Sequence, residues 1–255
     1  MNARRHYAPL DRVGRAKLAA ALGDTPETVT SVYQLREGLC SAYVAGELPR
    51  FRAAVVRNSD LPDEPMGFGD DPEAIFDILK SLDRWHAVSV KEEVATRLYE
   101  LIEKDGGHAT SFGDLYCTLT TPAPVITHPD VRRLTVADLE MVSRAAPALR
   151  VSGMGSPEAM LQKGLAVGAV IDGRLVGNAH TSAMSSLYAD IGIYTIEEYR
   201  GRGLANAMGA FISRLIQESG RTPVWSTSEG NVASRAIARK LGYVEVSRRA
   251  YVVKG

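Results

Sequence analysis

The stretch Ile191 to Ala210, IGIYTIEEYRGRGLANAMGA, holds the residue types and spacing best suited to chemistry. It reads as a strand, a glycine-containing turn and the start of a long helix. At such a start the first backbone N–H groups lack intrahelical partners, and the helix dipole adds partial positive charge. A pyrophosphate suits that spot. Gly201 and Gly203 let the backbone approach phosphate oxygens because no Cβ intervenes, and Arg200 and Arg202 add positive charge at the rim. The glycines alone fit a plain turn with a solvated basic rim equally well. Two other nucleotide-binding patterns are excluded. The turn lacks the Gly-Lys-Ser/Thr ending of a P-loop, and Asn206 stands where the third glycine of a dinucleotide fold belongs. Just upstream, Asp190 puts a carboxylate into an otherwise apolar strand, which is costly unless the group is hydrogen-bonded or functional.

The surrounding elements must position these groups. Thr135 to Ala146 reads as a helix with Thr135 as N-cap and Asp138 in its first turn. Pro157 to Leu161 is a second, short helix. Leu165 to Ile171 and Leu175 to His180 are strands joined at Asp172-Gly173, a pair favoured in tight hairpins. Leu187 to Thr195 is the next strand, and Gly203 to Glu218 is a long helix stopped by Gly220. Pro223 to Thr227 is a strand, Val232 to Leu241 a helix closed by Gly242, and Tyr243 to Val253 one or two final strands. Helices interleaved with a mostly antiparallel sheet define a mixed α/β (α+β) fold.

Upstream, Thr120-Thr121-Pro122-Ala123-Pro124 interrupts both helix and strand and marks a boundary. Residues 1–121 are therefore expected to form a smaller mixed α/β domain and 122–255 the main one. In the smaller domain, Arg12 to Leu22 and Glu27 to Ala45 have helical spacing, and Arg52 to Arg57 reads as a strand. A loop from Asn58 to Pro72 follows. Then come a helix from Glu73 to Leu82, a strand from Trp85 to Val90, a helix from Lys91 to Lys104 and a strand from Leu115 to Leu119. This order resembles the second half of the domain that follows, which suggests a degenerate internal duplication without a residue-level repeat.

Composition narrows the class. The chain has 255 residues, 45% of them hydrophobic, enough for a sizeable core. The formal net charge is +0, which argues against a nucleic-acid partner, since phosphate backbones are held mainly by surplus Lys and Arg. The two cysteines, Cys40 and Cys117, form no metal-ligand or redox spacing and read as buried, reduced thiols. No metal is expected. The segment Met1 to Gly23 carries Arg4, Arg5, Arg12, Arg15 and Lys17, and its longest uncharged run, Leu18 to Gly23, is too short for a signal-peptide core. No segment approaches the ~20 apolar residues of a membrane span. The expectation is a cytoplasmic protein with no membrane partner, a monomer or a homodimer.

With these elements in place, the second domain resembles the GNAT superfamily of acyltransferases. That family binds the CoA pyrophosphate with the pattern Arg/Gln-x-x-Gly-x-Gly/Ala. The pattern matches Arg200-Gly201-Arg202-Gly203-Leu204-Ala205, directly after a strand and opening a helix. A second family segment matches Asn231-Val-Ala-Ser234-Arg-Ala-Ile237-Ala-Arg-Lys240-Leu-Gly242-Tyr243. Val131-Arg-Arg-Leu-Thr-Val-Ala-Asp138 looks like the family's first strand and helix. The resemblance covers about residues 125–255.

The resemblance implies acetyl-CoA as co-substrate. Its pantetheine arm would pair with the backbone of Ile193, Tyr194 and Thr195 as an added strand. Its pyrophosphate would lie on Arg200, Gly201, Arg202, Gly203, Leu204, Ala205 and Asn206, with Asn231 nearer the arm. An alkyl amine is mostly protonated at neutral pH, so a base must take a proton before attack. Asp190 stands where family members often place a Glu, and being shorter it would act through a water. His180 and Glu229 are weaker candidates for the same task. The family's usual Tyr, which protonates the departing thiolate, is replaced by Ala238, leaving Ser234 or a water for that role. Backbone N–H groups would polarise the carbonyl, and transfer would be direct, without a Cys117 intermediate.

The acceptor pocket of such a fold is built from the first two helices and the hairpin loops. Here these are the segment Val151 to Pro157, the loop Ala183 to Leu187 and the added domain. Trp225 reads as a packing residue. The expected reaction is transfer of an acetyl (acyl) group to a primary amine of a small molecule. A protein or peptide N-acetyltransferase and a non-catalytic CoA-binding sensor are the alternatives.

Overall fold

A computed structural model describes residues 7–150 and 152–255. Arg4, Arg5 and Val151 therefore lie outside the described residues. The chain divides into two compact units. One runs up to Leu115 and includes Ser228–Gly230 and Ser247–Gly255; the other comprises Tyr116–Thr227 and Asn231–Val246.

The first unit opens with helices α1 (Arg12–Leu22) and α2 (Val29–Glu37). The side chain of Asp11 caps α1 by accepting the Gly14 N–H. Strands β1 (Cys40–Gly46), β2 (Phe51–Asn58) and β3 (Met66–Gly69) follow, then α3 (Pro72–Ser81), β4 (Ala87–Val90), α4 (Glu92–Lys104) and β5 (Ala109–Thr118). β1 and β2, and β2 and β3, pair antiparallel, whereas β3 and β4 run parallel. The helix expected over 27–45 is shorter. Gly38, in the left-handed conformation, ends α2 with its N–H on the Gln34 carbonyl, and the chain turns into β1. The expected loop over 58–72 contains β3, a four-residue strand too short and glycine-rich to show a period.

The second unit begins with β6 (Val131–Leu134), α5 (Leu139–Arg144), α6 (Pro147–Arg150) and α7 (Pro157–Lys163). The helix expected over Thr135 to Ala146 is a short 3-10 turn at Val136–Asp138 followed by α5, which ends at Arg144, and Pro147 opens α6 at its first position. Next come β7 (Ala166–Ile171), β8 (Arg174–Met184), β9 (Tyr188–Thr195), α8 (Leu204–Glu218), β10 (Thr222–Ser228), α9 (Val232–Leu241) and β11 (Val244–Lys254). Asp172 and Gly173 both have positive φ, +50° and +72°, as the tight hairpin turn requires. β6, β7, β8 and β9 pair antiparallel in that order, and β10 joins β9 in parallel. Helix α8 packs on this sheet through buried Leu204, Ala207, Met208, Ile212 and Ile216. The result is the expected mixed, mostly antiparallel sheet flanked by helices. The expected domain boundary lies at residues 121 and 122. The strands themselves change unit at Leu115 within β5 and again after Val246 within β11.

The segment before α7 is tightly fitted. Gly153 has φ +65°, and a Cβ there would lie 2.4 Å from the carbonyl oxygen of Ser182. Ser182 is the extra residue of a bulge in β8, between Thr181 and Ala183. Gly153→Ala is expected to destabilise the fold by at least about 2 kcal/mol, from left-handed backbone strain plus the clash. A urea midpoint equal to that of the parent would show that the bulge is not clamped in this way.

Candidate active site

β9 and β10 pair in parallel only at Tyr188 with Thr222, Ala189 with Pro223 and Asp190 with Val224. β9 then continues to Thr195, still paired with β8, and β10 continues to Ser228, but the two no longer pair with each other. The two strands splay. Beyond Asp190, the backbone groups of β9 on that side have lost their ladder partners, and buried peptide groups demand others.

A cleft of about 420 Å³ opens at this splay. It brings together Ile193, Tyr194 and Thr195 of β9, Arg200, Gly201, Gly203, Leu204, Ala205 and Asn206 of the turn and α8, and Asn231 and Ser234 at the start of α9. Eleven of the thirteen residues singled out from the sequence thus share one lining. The other two lie apart. Arg202 donates to the Glu198 carbonyl at 3.1 Å and lies over the Tyr199 ring. Asp190 lies at the vertex of the splay, outside the lining. The lining also includes Tyr199, Ala233 and Ile237, which lie within the quoted motif segments but had been given no role.

The phosphate end of the cleft has the geometry an anion needs. Gly201 and Gly203 have φ +76° and +81°, and a Cβ at either would meet nothing within 4 Å. Gly203 occupies the N-cap of α8 with no side chain to cap the helix, so the first amides of α8 face the cleft mouth uncapped. Within the cleft, the Thr195 Oγ1 and Asn206 Oδ1 atoms are buried without a hydrogen-bond partner. Buried polar atoms of this kind call for a ligand or a water. Arg200 is fixed by donating from Nε to the Thr195 carbonyl at 3.1 Å. This donor set fits the diphosphate and amide groups of a CoA thioester.

At the far side of the cleft, Ser234 Oγ accepts the Trp225 indole N–H at 2.9 Å, which leaves its own hydroxyl proton to donate. Asn231 caps α9 by accepting the Ser234 N–H at 3.0 Å. Trp225 is 1% exposed and packs edge-on against Tyr243, a core residue as expected. Tyr243 is itself held by Ser213 at 2.7 Å, and burial pushes its hydroxyl well above the usual phenol range. It is thus a poor proton donor.

A buried polar row lies along β8 and β9. The Asp190 carboxylate accepts hydrogen bonds from Ser182 Oγ at 2.5 Å and from Ser226 Oγ at 2.9 Å. Neither serine carried a sequence signal. Their role emerges only from the β8 bulge and from the register of β10. His180 stands opposite Gly192, and a Cβ at 192 would come within 2.9 Å of the imidazole. Its Nδ1 has no partner, and burial lowers its pKa to about 4, so the ring is neutral at physiological pH. Glu229 belongs to the first unit, where Oε1 accepts the N–H of Gly113 in β5 at 2.9 Å. Cys40 and Cys117 form no disulfide and are buried, and burial raises the Cys40 thiol to about 11. Among the described residues, no helix is long and apolar enough to cross a membrane.

Comparison with known proteins shows the family of the second domain. The family model described as GNAT acetyltransferase matches residues 131–252. Residues 131–252 form a GNAT acetyltransferase domain. An uncharacterized N-acetyltransferase of Bacillus subtilis, YdfB, is 35% identical over 86 residues, 32% of this chain and 33% of that protein. The match therefore spans about a third of that relative's length. Three solved structures align with nearly the whole chain. A GCN5-related N-acetyltransferase-like protein from Streptococcus suis covers 96% of this chain and 100% of its own, with TM-score 0.71 at 18% identity. A GCN5-related N-acetyltransferase from Kribbella flavida covers 94% and 95%, with TM-score 0.58 at 18% identity. A tandem GNAT protein from the clavulanic acid biosynthesis pathway covers 98% of each chain, with TM-score 0.57 at 16% identity. At these identities the likeness is one of fold. The GNAT domain carries the splay, the glycine turn and the α9 segment in the order that the sequence motifs required.

The buried imidazole has a thermodynamic signature. Because the folded pKa lies below the unfolded 6.5, the unfolded chain binds the extra proton between pH 6.5 and about 4. His180 therefore contributes stability that is present above pH 6.5 and is lost as the pH falls towards 4, about 3 kcal/mol in all. His180→Gln should flatten the pH dependence of the urea midpoint across that window. Parallel curves for parent and variant would mean that the ring titrates normally.

Proposed function

We propose that the chain is an acetyl-CoA-dependent N-acetyltransferase acting on the primary amine of a small molecule. The observation that carries this reading is the splay of β9 from β10, with the uncapped amides of α8 at one end and the buried Asp190 carboxylate at its vertex. Acetyl-CoA supplies an acyl group already activated as a thioester.

The chain's own residues divide the remaining work. The edge of β9 at Ile193, Tyr194 and Thr195 holds the arm of the co-substrate by backbone pairing. The amides from Gly201 to Asn206 hold the diphosphate, with Arg200 and Arg202 adding positive potential at the rim. Backbone N–H groups of β9 beside the thioester oxygen take up the charge that develops there. Asp190 is the proton acceptor for the incoming ammonium, reached through the hydroxyl of Ser182 or Ser226 or through a water. Ser234, oriented by Trp225, donates towards the leaving sulfur. A thiol of pKa ~8.5 leaves readily enough that a full acid is not required.

A small acceptor is favoured by the closure of the vertex. Asp190 and His180 are buried, and Ser152 and Met154 are buried on either side of Gly153, which seats on the bulge at Ser182. A peptide acceptor needs an open groove at this place. Two buried cysteines that form no disulfide fit a reducing compartment, and we place the enzyme in the cytoplasm.

Ala205 lines the cleft in the first turn of α8, where a glutamate suits the helix but not a phosphate. Ala205→Glu should weaken acetyl-CoA binding at least 100-fold by calorimetry, and retained affinity would rule out the cradle. Asp190→Asn should lower kcat at least tenfold and remove the acidic limb of its pH profile, with acetyl-CoA affinity within twofold of the parent. An unchanged profile would remove Asp190 from proton transfer. Free-thiol release measured across small amines and peptides assigns the acceptor class. Binding without release on any amine would mark a sensor.

A further inference from the structure

The first unit repeats the element order of the second. In the first, helices α1 and α2 precede the antiparallel run β1–β2–β3, β3 joins β4 in parallel through α3, and α4 and β5 follow. In the second, α5 to α7 precede the antiparallel run β7–β8–β9, β9 joins β10 in parallel through α8, and α9 and β11 follow. The correspondence sets α3 against α8 and sets the splay of β3 and β4 against the cofactor splay. β3 and β4 pair only at Met66 with Ser89 before they part.

We propose that the first unit is a second copy of this fold whose cofactor cleft has closed, so that the chain takes up a single acetyl-CoA. The inference rests on the reading of the second unit's cleft as the acetyl-CoA site. Three features close the first cleft, and each reverses a feature of the open one.

The strand that would hold the arm is missing. β9 runs on to Thr195 after its last pair with β10, and a glycine turn leads to α8 at Leu204. β3 ends at Gly69, and α3 starts almost at once, at Pro72. A Cβ on Gly69 would lie 2.1 Å from the Arg52 carbonyl oxygen, so the turn is packed against β2, whereas Gly201 and Gly203 face open space.

The anion site is filled. The Asp71 carboxylate caps α3 by accepting the Ala74 N–H at 2.9 Å, and Pro72 has no N–H to offer. The basic groups nearby are engaged as well: Arg52 pairs with Asp71, Lys91 with Asp70 and Arg97 with Glu73. A diphosphate would have to displace both the cap and these pairs.

The gap between the strands is occupied by the protein itself. Arg249, only 2% exposed, donates to the Gly67 carbonyl at 2.6 Å, to the Ser89 carbonyl at 2.9 Å and to Ser89 Oγ at 3.0 Å. Its guanidinium also lies over the Phe68 ring. These carbonyls belong to β3 and β4 where the strands part, the place at which the amides of a pantetheine arm would bind in an open copy. Arg249 satisfies them in its stead.

The test is calorimetric titration of the full chain with acetyl-CoA, combined with hydrogen exchange. One equivalent should bind, Ala205→Glu should bind none, and the co-substrate should protect amides within 191–206 but not within 66–75. Two equivalents, binding that survives in Ala205→Glu, or protection of 66–75 would overturn the closed cleft and leave the second unit's site standing. No binding to the parent chain would overturn the second unit's site, on which the single equivalent depends.

Discussion

Two parallel strands that part company leave peptide groups facing a gap, and a buried gap cannot stay unpaired. This constraint organises the molecule. In the second unit β9 and β10 separate after Asp190 and Val224, and the gap opens into a cleft that ends on the uncapped amides of α8. In the first unit β3 and β4 separate after Met66 and Ser89, and the Arg249 guanidinium fills the gap. One solution leaves room for a ligand with amide and phosphate groups. The other replaces the ligand with a side chain whose five N–H donors lie in a planar fork.

What surrounds each gap follows from its occupant. The open cleft has glycines at positive φ with free space beside them, and arginines at its rim. The closed one has a carboxylate cap and a proline at the helix start, choices that satisfy the helix from within. A helix start that caps itself is locally more stable and has no further use for an anion. A helix start left bare, as at Gly203, carries an energetic cost that a bound diphosphate offsets.

The proposed cofactor side of this arrangement is legible in the sequence because it is local. Arg200 to Asn206 are contiguous, and Asn231 and Ser234 belong to one helix start, so two short motifs carry the family resemblance that marks them. The proposed proton-transfer side is only half legible. Asp190 stood out as a carboxylate in an apolar strand, but its partners Ser182 and Ser226 lie on two other strands. Their meeting depends on one extra residue in β8 and on the register of β10, neither of which leaves a periodic signal. The same limit explains β3 and β1. β3 has four residues, and β1 follows α2 so closely that the apolar spacing runs on through Gly38 and mimics one long helix. Arg249 was silent for the same reason, since its contacts with Gly67 and Ser89 span most of the chain.

The alternation of a strand gives β9 its two tasks. Successive side chains point to opposite faces. Thr195 lies beside the backbone of Gly177, on the side where Met208 of α8 packs. Gly192 lies under the His180 ring, and Asp190 reaches Ser182. The backbone between them is the edge proposed to hold the co-substrate. A slip of one residue would exchange the two faces and turn Asp190 towards α8. The bulge at Ser182 guards against that slip. It absorbs one residue of β8, so that His180 pairs with Gly192 while Ala183 pairs with Asp190, and the Gly153 backbone seats against it. The carboxylate is therefore aimed by a bulge on the neighbouring strand and by the Gly153 backbone seated on that bulge, and the chemistry proposed for the vertex depends on that contact as well as on Asp190.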